Sequence, residues 1–304
     1  ASERNFHAFF QLLAGVSGQQ AAACAVDGRS PSDFAFLSHG TTVIEGVDDG
    51  AQFRELSDAL STLGVNDESK EDLWKALAAV LHLGNIELVA KDSPEGPVAG
   101  LNDTSSLETV SGLIGISVET LTDIQTVRHV ETRGEEYEIH LTVEDAGFAR
   151  DAVAKALYEA LFAWVVTIVN NALGKGPDSL PSIAVLDIFG FEAFELNDFE
   201  QLLINYANEA LQGTFDRSVF INELELYRKE GLLKGNEEDE LVIPDNTPCL
   251  ELFEGPHVHA KGVRQGMEIG LLKLIDAESQ LPKPSDEKMN ATFHRVYDSN
   301  KFFG

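Results

Sequence analysis

Cysteine is scarce in this chain: Cys24 and Cys249 are the only two in 304 residues, so no disulfide framework is expected. Metal-ligand spacing is missing as well, because the eight histidines are scattered and His257 and His259 form the one tight pair. Basic residues are few. Lys and Arg number 22 against 51 Asp and Glu, and a formal net charge of −29 repels phosphate, which argues against nucleic-acid or anionic-membrane binding. The amino terminus carries no basic stretch followed by an apolar one, so it does not read as a signal peptide. The longest apolar stretch in the middle of the chain, residues 160–169, is about half of a bilayer span and contains Thr167, so the helix around it is expected in a core rather than in a membrane. No repeats or low-complexity tracts point to an array or a disordered tail. The phosphate-cradling pattern G-x-x-x-x-G-K-[ST] is absent too: its nearest approach, Gly174-Lys175, continues with Gly176 and has Val169 in place of the first glycine.

With 43% hydrophobic residues the chain can bury a sizeable core, as two domains or one large one. Its most informative stretch is residues 186–227, LDIFGFEAFELNDFEQLLINYANEALQGTFDRSVFINELELY. The apolar run at residues 183–186 reads as a short strand buried on both faces of a mostly parallel sheet, with Asp187 and Gly190 where it ends. Asn197 with Glu200 reads as a capping box opening a helix that runs to Tyr227 and buries Phe199, Leu202, Leu203 and Tyr206 on one face. Chemically, an aspartate at the carboxyl end of a central strand can hold Mg²⁺ through water, and a glycine lets its backbone N–H approach a phosphate oxygen. Residues 146–173 predict one long helix, with Phe148, Ala152, Ala156, Leu157, Leu161, Trp164, Val165 and Ile168 at helical spacing and a Gly174-Lys175-Gly176-Pro177 stop. Residues 128–141 alternate as two short strands about Arg133-Gly134, a hairpin.

The turn Asp-x-x-Gly-x-Glu, continued by Phe199-Glu200-Gln201-Leu202, Ile204-Asn205-Tyr206 and Asn208-Glu209-x-Leu211-Gln212, resembles switch II and the relay helix of the myosin motor domain. The resemblance covers essentially the whole chain. SERNFHAFFQLLAG (residues 2–15) is similar to the segment after switch I, and WKALAAVLHLGN (residues 74–85) to a helix of the upper actin-binding subdomain. The hairpin stands in the place of the cardiomyopathy loop, and residues 270–304 resemble the helix-loop-helix of the lower actin-binding subdomain. The fold implied is α/β but predominantly helical: part of a P-loop NTPase-type myosin head with one central sheet strand, a hairpin loop and long helices. Residues 1–182 would belong to the upper actin-binding subdomain, and residues 183–304 to switch II, the relay helix and the lower actin-binding subdomain.

The family's roles carry over residue by residue. Asp187 would hold Mg²⁺ through water, Gly190 would sense the γ-phosphate of ATP, and Glu192 would pair with an arginine of switch I when the site closes. Arg128 and Arg133 of the hairpin, with Leu281, Pro282 and Lys283 of the bend, would contact actin filaments. The acidic excess spares that last region: residues 256–304 hold seven Lys and Arg against six Asp and Glu, a net of +1. Light chains would bind through a lever arm outside this chain, and the setting would be the cytoplasmic myosin complex, without nucleic acid or membrane insertion. Switch I would precede Ala1 and the converter would follow Gly304, so the sequence is expected to be an internal piece of a motor. Alone it is expected to be poorly soluble or partly molten and not to hydrolyse ATP. The alternatives are a non-catalytic actin-binding protein and a nonfunctional truncated product.

Four departures from the family pattern stand out. Residues 233–240 (LKGNEEDE) replace a shorter relay loop that carries a tryptophan, which puts coupling to a converter in doubt. Gly213 interrupts the relay helix, at a cost of about 1 kcal/mol relative to alanine. Residues 257–269 read as an inserted surface loop, and Pro284 stiffens the actin-facing bend.

Overall fold

Residues 74–85 are the centre of the molecule's larger core. They close helix α4 (Asp67–Gly84), which Asn66 caps by accepting a 2.8 Å hydrogen bond from the Ser69 amide, with Asp67 and Glu68 in the first turn where the helix dipole favours acids. From Leu73 onward the helix is apolar on most sides and almost wholly buried, Trp74 being 1% exposed. The computed structural model describes residues 4–94, 96–132, 134–174, 181, 183–232, 245–255, 269–281 and 284–303. It is predominantly helical and divides into two units, Ala1–Pro181 and Ser182–Gly304.

In the first unit α1 (His7–Gly15), which the short α2 (Gln19–Ala23) follows, packs with α3 (Asp49–Thr62), α5 (Ser105–Ile114) and α7 (Val143–Leu173) around α4. Gly15 ends α1 against the Phe53 ring, where any Cβ would collide, and Phe53 in turn lies 4.8 Å from Trp74 between ring centroids. After α4, Asn85 clamps the loop that covers it: its carbonyl accepts from the Ala35 amide at 2.8 Å and its amide donates to the Asp33 carbonyl at 2.7 Å. His82 is buried beside the Phe34 ring, and desolvation lowers its pKa from 6.5 to about 4.

Two hairpins flank these helices. Strands β1 (Leu88–Lys91) and β2 (Val98–Leu101) pair antiparallel with Leu88 opposite Leu101. Helix α6 (Val118–Thr126) then leads directly into β3 (Val127–Thr132), which pairs antiparallel with β4 (Glu135–His140), so the hairpin expected at residues 128–141 forms. Its base is tied down by the Leu141 amide on the Thr126 carbonyl (2.9 Å) and the Ala99 amide on the Leu141 carbonyl (2.7 Å).

The 31-residue α7 forms as one helix, and Val153, Ala154, Leu157, Leu161 and Ile168 put one stripe on the core. Among the described residues it is the one helix long and apolar enough to cross a bilayer by length and composition. The expected core helix packs by that stripe only: Phe148, expected with it, and Phe162 are more than 60% exposed.

The second unit has a smaller core of Leu252, Leu271 and Tyr297, joined by Leu202, Phe253, Leu274, Phe293 and Phe303. It is built from α8 (Phe199–Asp216), α10 (Thr247–Glu254), α11 (Leu271–Ser279) and α12 (Asp286–Tyr297). Gly270 packs directly on the backbone of Phe253, Glu254 and Gly255, a contact that leaves no room for a Cβ, and the Tyr297 hydroxyl donates to the Ile269 carbonyl at 2.7 Å.

Three expectations for this unit are corrected. Residues 183–186 are not a strand: the segment has no sheet partner among the described residues, and Ile183 is 96% and Val185 90% exposed. A strand meant for the middle of a sheet has nothing to bond to without its neighbours. The helix begins one residue later than expected, with Asp198 and Gln201 as the capping box; Asn197 instead exchanges hydrogen bonds with the backbone of Phe194. Finally, the helical path to Tyr227 is not uniform, since α8 and α9 (Asn222–Glu230) are joined by a π-helical turn, Arg217–Ile221.

Candidate functional site

Residues 187–205 are where the sequence concentrated its chemistry, and the structure links that turn to the helix behind it. Asn205, in the second turn of α8, holds the backbone of Glu192 at both ends. Its carbonyl accepts from the Glu192 amide at 2.8 Å and its amide donates to the Glu192 carbonyl at 2.7 Å. The Glu192 carboxylate is half-buried and accepts from the Gln201 amide at 3.4 Å. A turn gripped in this way cannot shift without straining α8 or breaking two hydrogen bonds.

Helix α8 is anchored on its far side. The Tyr206 hydroxyl donates to Glu254 at 2.7 Å, an interaction that raises the tyrosine pKa, and the Tyr206 ring lies 5.2 Å from that of Phe253. Asn246 donates to the Glu209 carbonyl at 2.8 Å, and its side-chain oxygen would lie 2.7 Å from a Cβ at position 213. Gly213 thus sits where Asn246 approaches the helix closely.

Asp187 and Gly190, the other two residues singled out in the turn, lie on the exposed segment. Asp187 makes no hydrogen bond or ion pair among the described residues, which also contain no group of three acidic, histidine or cysteine side chains able to hold a metal. A Cβ at Gly190 would meet nothing within 4 Å, so the backbone there is open to a ligand but encloses none. Among the described residues, Asp187 and Gly190 thus form no enclosed site, and the phosphate-cradling pattern does not occur in the 304 residues.

Of the residues expected to face a filament, Arg128 is exposed on β3 opposite Ile139, and Leu281 is exposed just after α11. Arg133, Pro282 and Lys283 lie outside the described residues, as do the replaced relay loop and His257 with His259. Sequence reading used Asn205 only as part of a spacing pattern. Its role as a double clamp becomes visible from which backbone groups it meets.

The chain matches the family model "Myosin head (motor domain)" over residues 1–304. It is 36% identical to Myosin-2B of Naumovozyma castellii over 100% of this chain and 20% of that protein. It is 35% identical to unconventional myosin-XV of Homo sapiens (99% of this chain, 8% of that protein) and 33% identical to the myosin-I heavy chain of Dictyostelium discoideum (100% and 12%). The chain thus spans a fifth or less of the length of these curated relatives. A match along every residue, with relatives above 30% identity, places this protein in the myosin head family.

Proposed function

We propose that this chain is the switch II and relay-helix part of an actin-based motor driven by Mg-ATP, within a P-loop NTPase-type head. The observation that carries the reading is the double hydrogen bond from Asn205 to the backbone of Glu192, because it makes α8 follow the turn. Bound Mg-ATP would supply the hydrolysable phosphate; Asp187, through water, and the Gly190 N–H would hold it. Glu192 would latch the closed turn by pairing with an arginine, with Gln201 holding its carboxylate and Asn205 holding its backbone. Movement would then pass along α8, whose middle is seated on α10, and through the π-helical turn to α9. π-turns within helices are frequent at functional sites.

The same reading assigns residues 1–182 to the upper actin-binding subdomain and residues 183–304 to switch II, relay and the lower one. Arg128, Arg133, Leu281, Pro282 and Lys283 are the filament contacts, in a cytoskeletal myosin complex whose light chains bind elsewhere. The 304 residues by themselves do not hydrolyse ATP in this reading, for want of the phosphate-cradling loop.

The test is Glu192→Ala in a motor head containing this chain. Loss of a group that acts only in the closed state should lower steady-state actin-activated turnover by about two orders of magnitude. Near-normal turnover would remove Glu192 from the latch.

A further inference from the structure

The β3–β4 hairpin has two unlike faces, set by strand alternation and register. Arg128, Val130, Tyr137 and Ile139 share one face; His129, Glu131, Glu136 and Glu138 share the other, with His129 directly opposite Glu138 and Glu131 opposite Glu136. Among the described residues, the side-chain hydrogen bond from this hairpin to the rest of its unit is the 2.8 Å contact between His129 Nε2 and the Asp123 carboxylate on α6. Because α6 runs into β3 without a loop, that contact spans the junction between them and bears on the angle at which the hairpin leaves the body. Backbone bonds fix only the base, at Thr126 and Leu141.

We infer that His129 is a proton-operated clamp: in its imidazolium form it ties the hairpin to α6 through Asp123 and compensates the carboxylates across the strand pair, and in its neutral form it releases the hairpin's angle. The elements packed on β3 are β4 and α6, and the charged groups they turn toward the imidazole are Asp123, Glu138 and Glu136, all acidic. The hydrogen bond to Asp123 and then its charge, with further help from the two glutamates, raise the pKa of His129 above its usual 6.5. The clamp is therefore fully engaged below about 6.5 and is lost as pH rises through the elevated folded value. A neutral ring can still donate one N–H to Asp123, but it no longer balances Glu138 and Glu136, which then repel Asp123 and one another.

The consequence for filament contact rests on the reading of the hairpin as an actin-binding element, and the test separates the two. A nitroxide attached at Ile139→Cys, on the face away from His129, would report hairpin motion by electron spin resonance in a motor head freed of its other reactive cysteines, without actin. Label mobility should rise as pH is raised, with a midpoint above the usual histidine value. His129→Gln should remove the titration and leave the label mobile throughout, and Asp123→Asn should move the midpoint down. A titration that persists unchanged in His129→Gln, or a label that does not respond to pH in the unsubstituted head, would overturn the clamp. Filament affinity measured over the same range should fall with rising pH, and His129→Gln should abolish that fall. Mobility that titrates with affinity that does not would uphold the clamp and contradict the hairpin's assignment to the filament.

Discussion

Residues 74–86 and residues 183–196 are both rich in large apolar side chains, yet among the described residues the first stretch is closely buried and the second bare. Trp74, Leu77, Leu81, Leu83 and Ile86 are within a few per cent of full burial, whereas Val185 is 90% and Leu196 85% exposed. The first stretch is helical, satisfies its own backbone, and needs only neighbours to cover its sides, which α1, α3, α5 and α7 provide. The second has the composition of a central strand, and a strand cannot satisfy its backbone without other strands beside it. Hydrophobicity says that a segment is built for burial; whether it is buried depends on what the fold puts next to it.

Substitutions should separate the two stretches. Trp74→Ala should cost about 3–5 kcal/mol in the first unit, read from urea unfolding, because a large ring leaves a cavity among packed helices. Leu186→Ser should cost within about 0.5 kcal/mol in the 304-residue chain and raise its solubility. In a longer motor head, where sheet neighbours would cover it, the same change should cost about 2–5 kcal/mol. Equal small losses in both settings would mean that residues 183–186 are not a sheet strand in the larger protein.

A smaller effect is expected at Gly270, which touches the backbone of Phe253 to Gly255. Gly270→Ala should destabilise the second unit by about 1–3 kcal/mol, since backbone rather than a flexible side chain must give way. The Trp74 region should be unaffected, and hydrogen exchange resolved by segment would show it.

His82 provides the most gradual probe of the buried stretch. In the unfolded chain it takes up a proton near 6.5, but in the fold only near 4, so its contribution is intact above 6.5 and is lost as pH falls toward 4. The urea midpoint should fall across that window in the unsubstituted chain and fall less in His82→Gln.

Much of this was legible in the sequence for physical reasons that can be named. The helix at residues 74–85 was legible through the likeness of WKALAAVLHLGN to a family helix, α7 through apolar positions at helical spacing, and the β3–β4 hairpin through alternation about a glycine. The strand at 183–186 was misjudged because an apolar run reports a preference, and the partners that would realise it do not appear among the described residues. The capping box was placed one residue early because Asn197, Asp198, Glu200 and Gln201 offer two overlapping versions of the same pattern. Gly213 and Asn246 are 33 positions apart, and no local pattern reveals that one makes room for the other. For the same reason the Asn205 clamp was hidden: a spacing motif says that an asparagine belongs there, not which backbone groups it will meet.

The clamp is the most direct point of attack on the motor reading. Asn205→Ala in a motor head leaves the Glu192 amide and carbonyl without their partner, a loss of about 1–3 kcal/mol at the joint between turn and helix. A fluorescent reporter on α9, followed after rapid mixing with ATP alongside nucleotide binding, would read whether the helix still follows the turn. Nucleotide binding close to normal with a delayed or missing reporter signal is the predicted result. A reporter that moves with unchanged rate and amplitude in Asn205→Ala would contradict the claim that this residue couples the two.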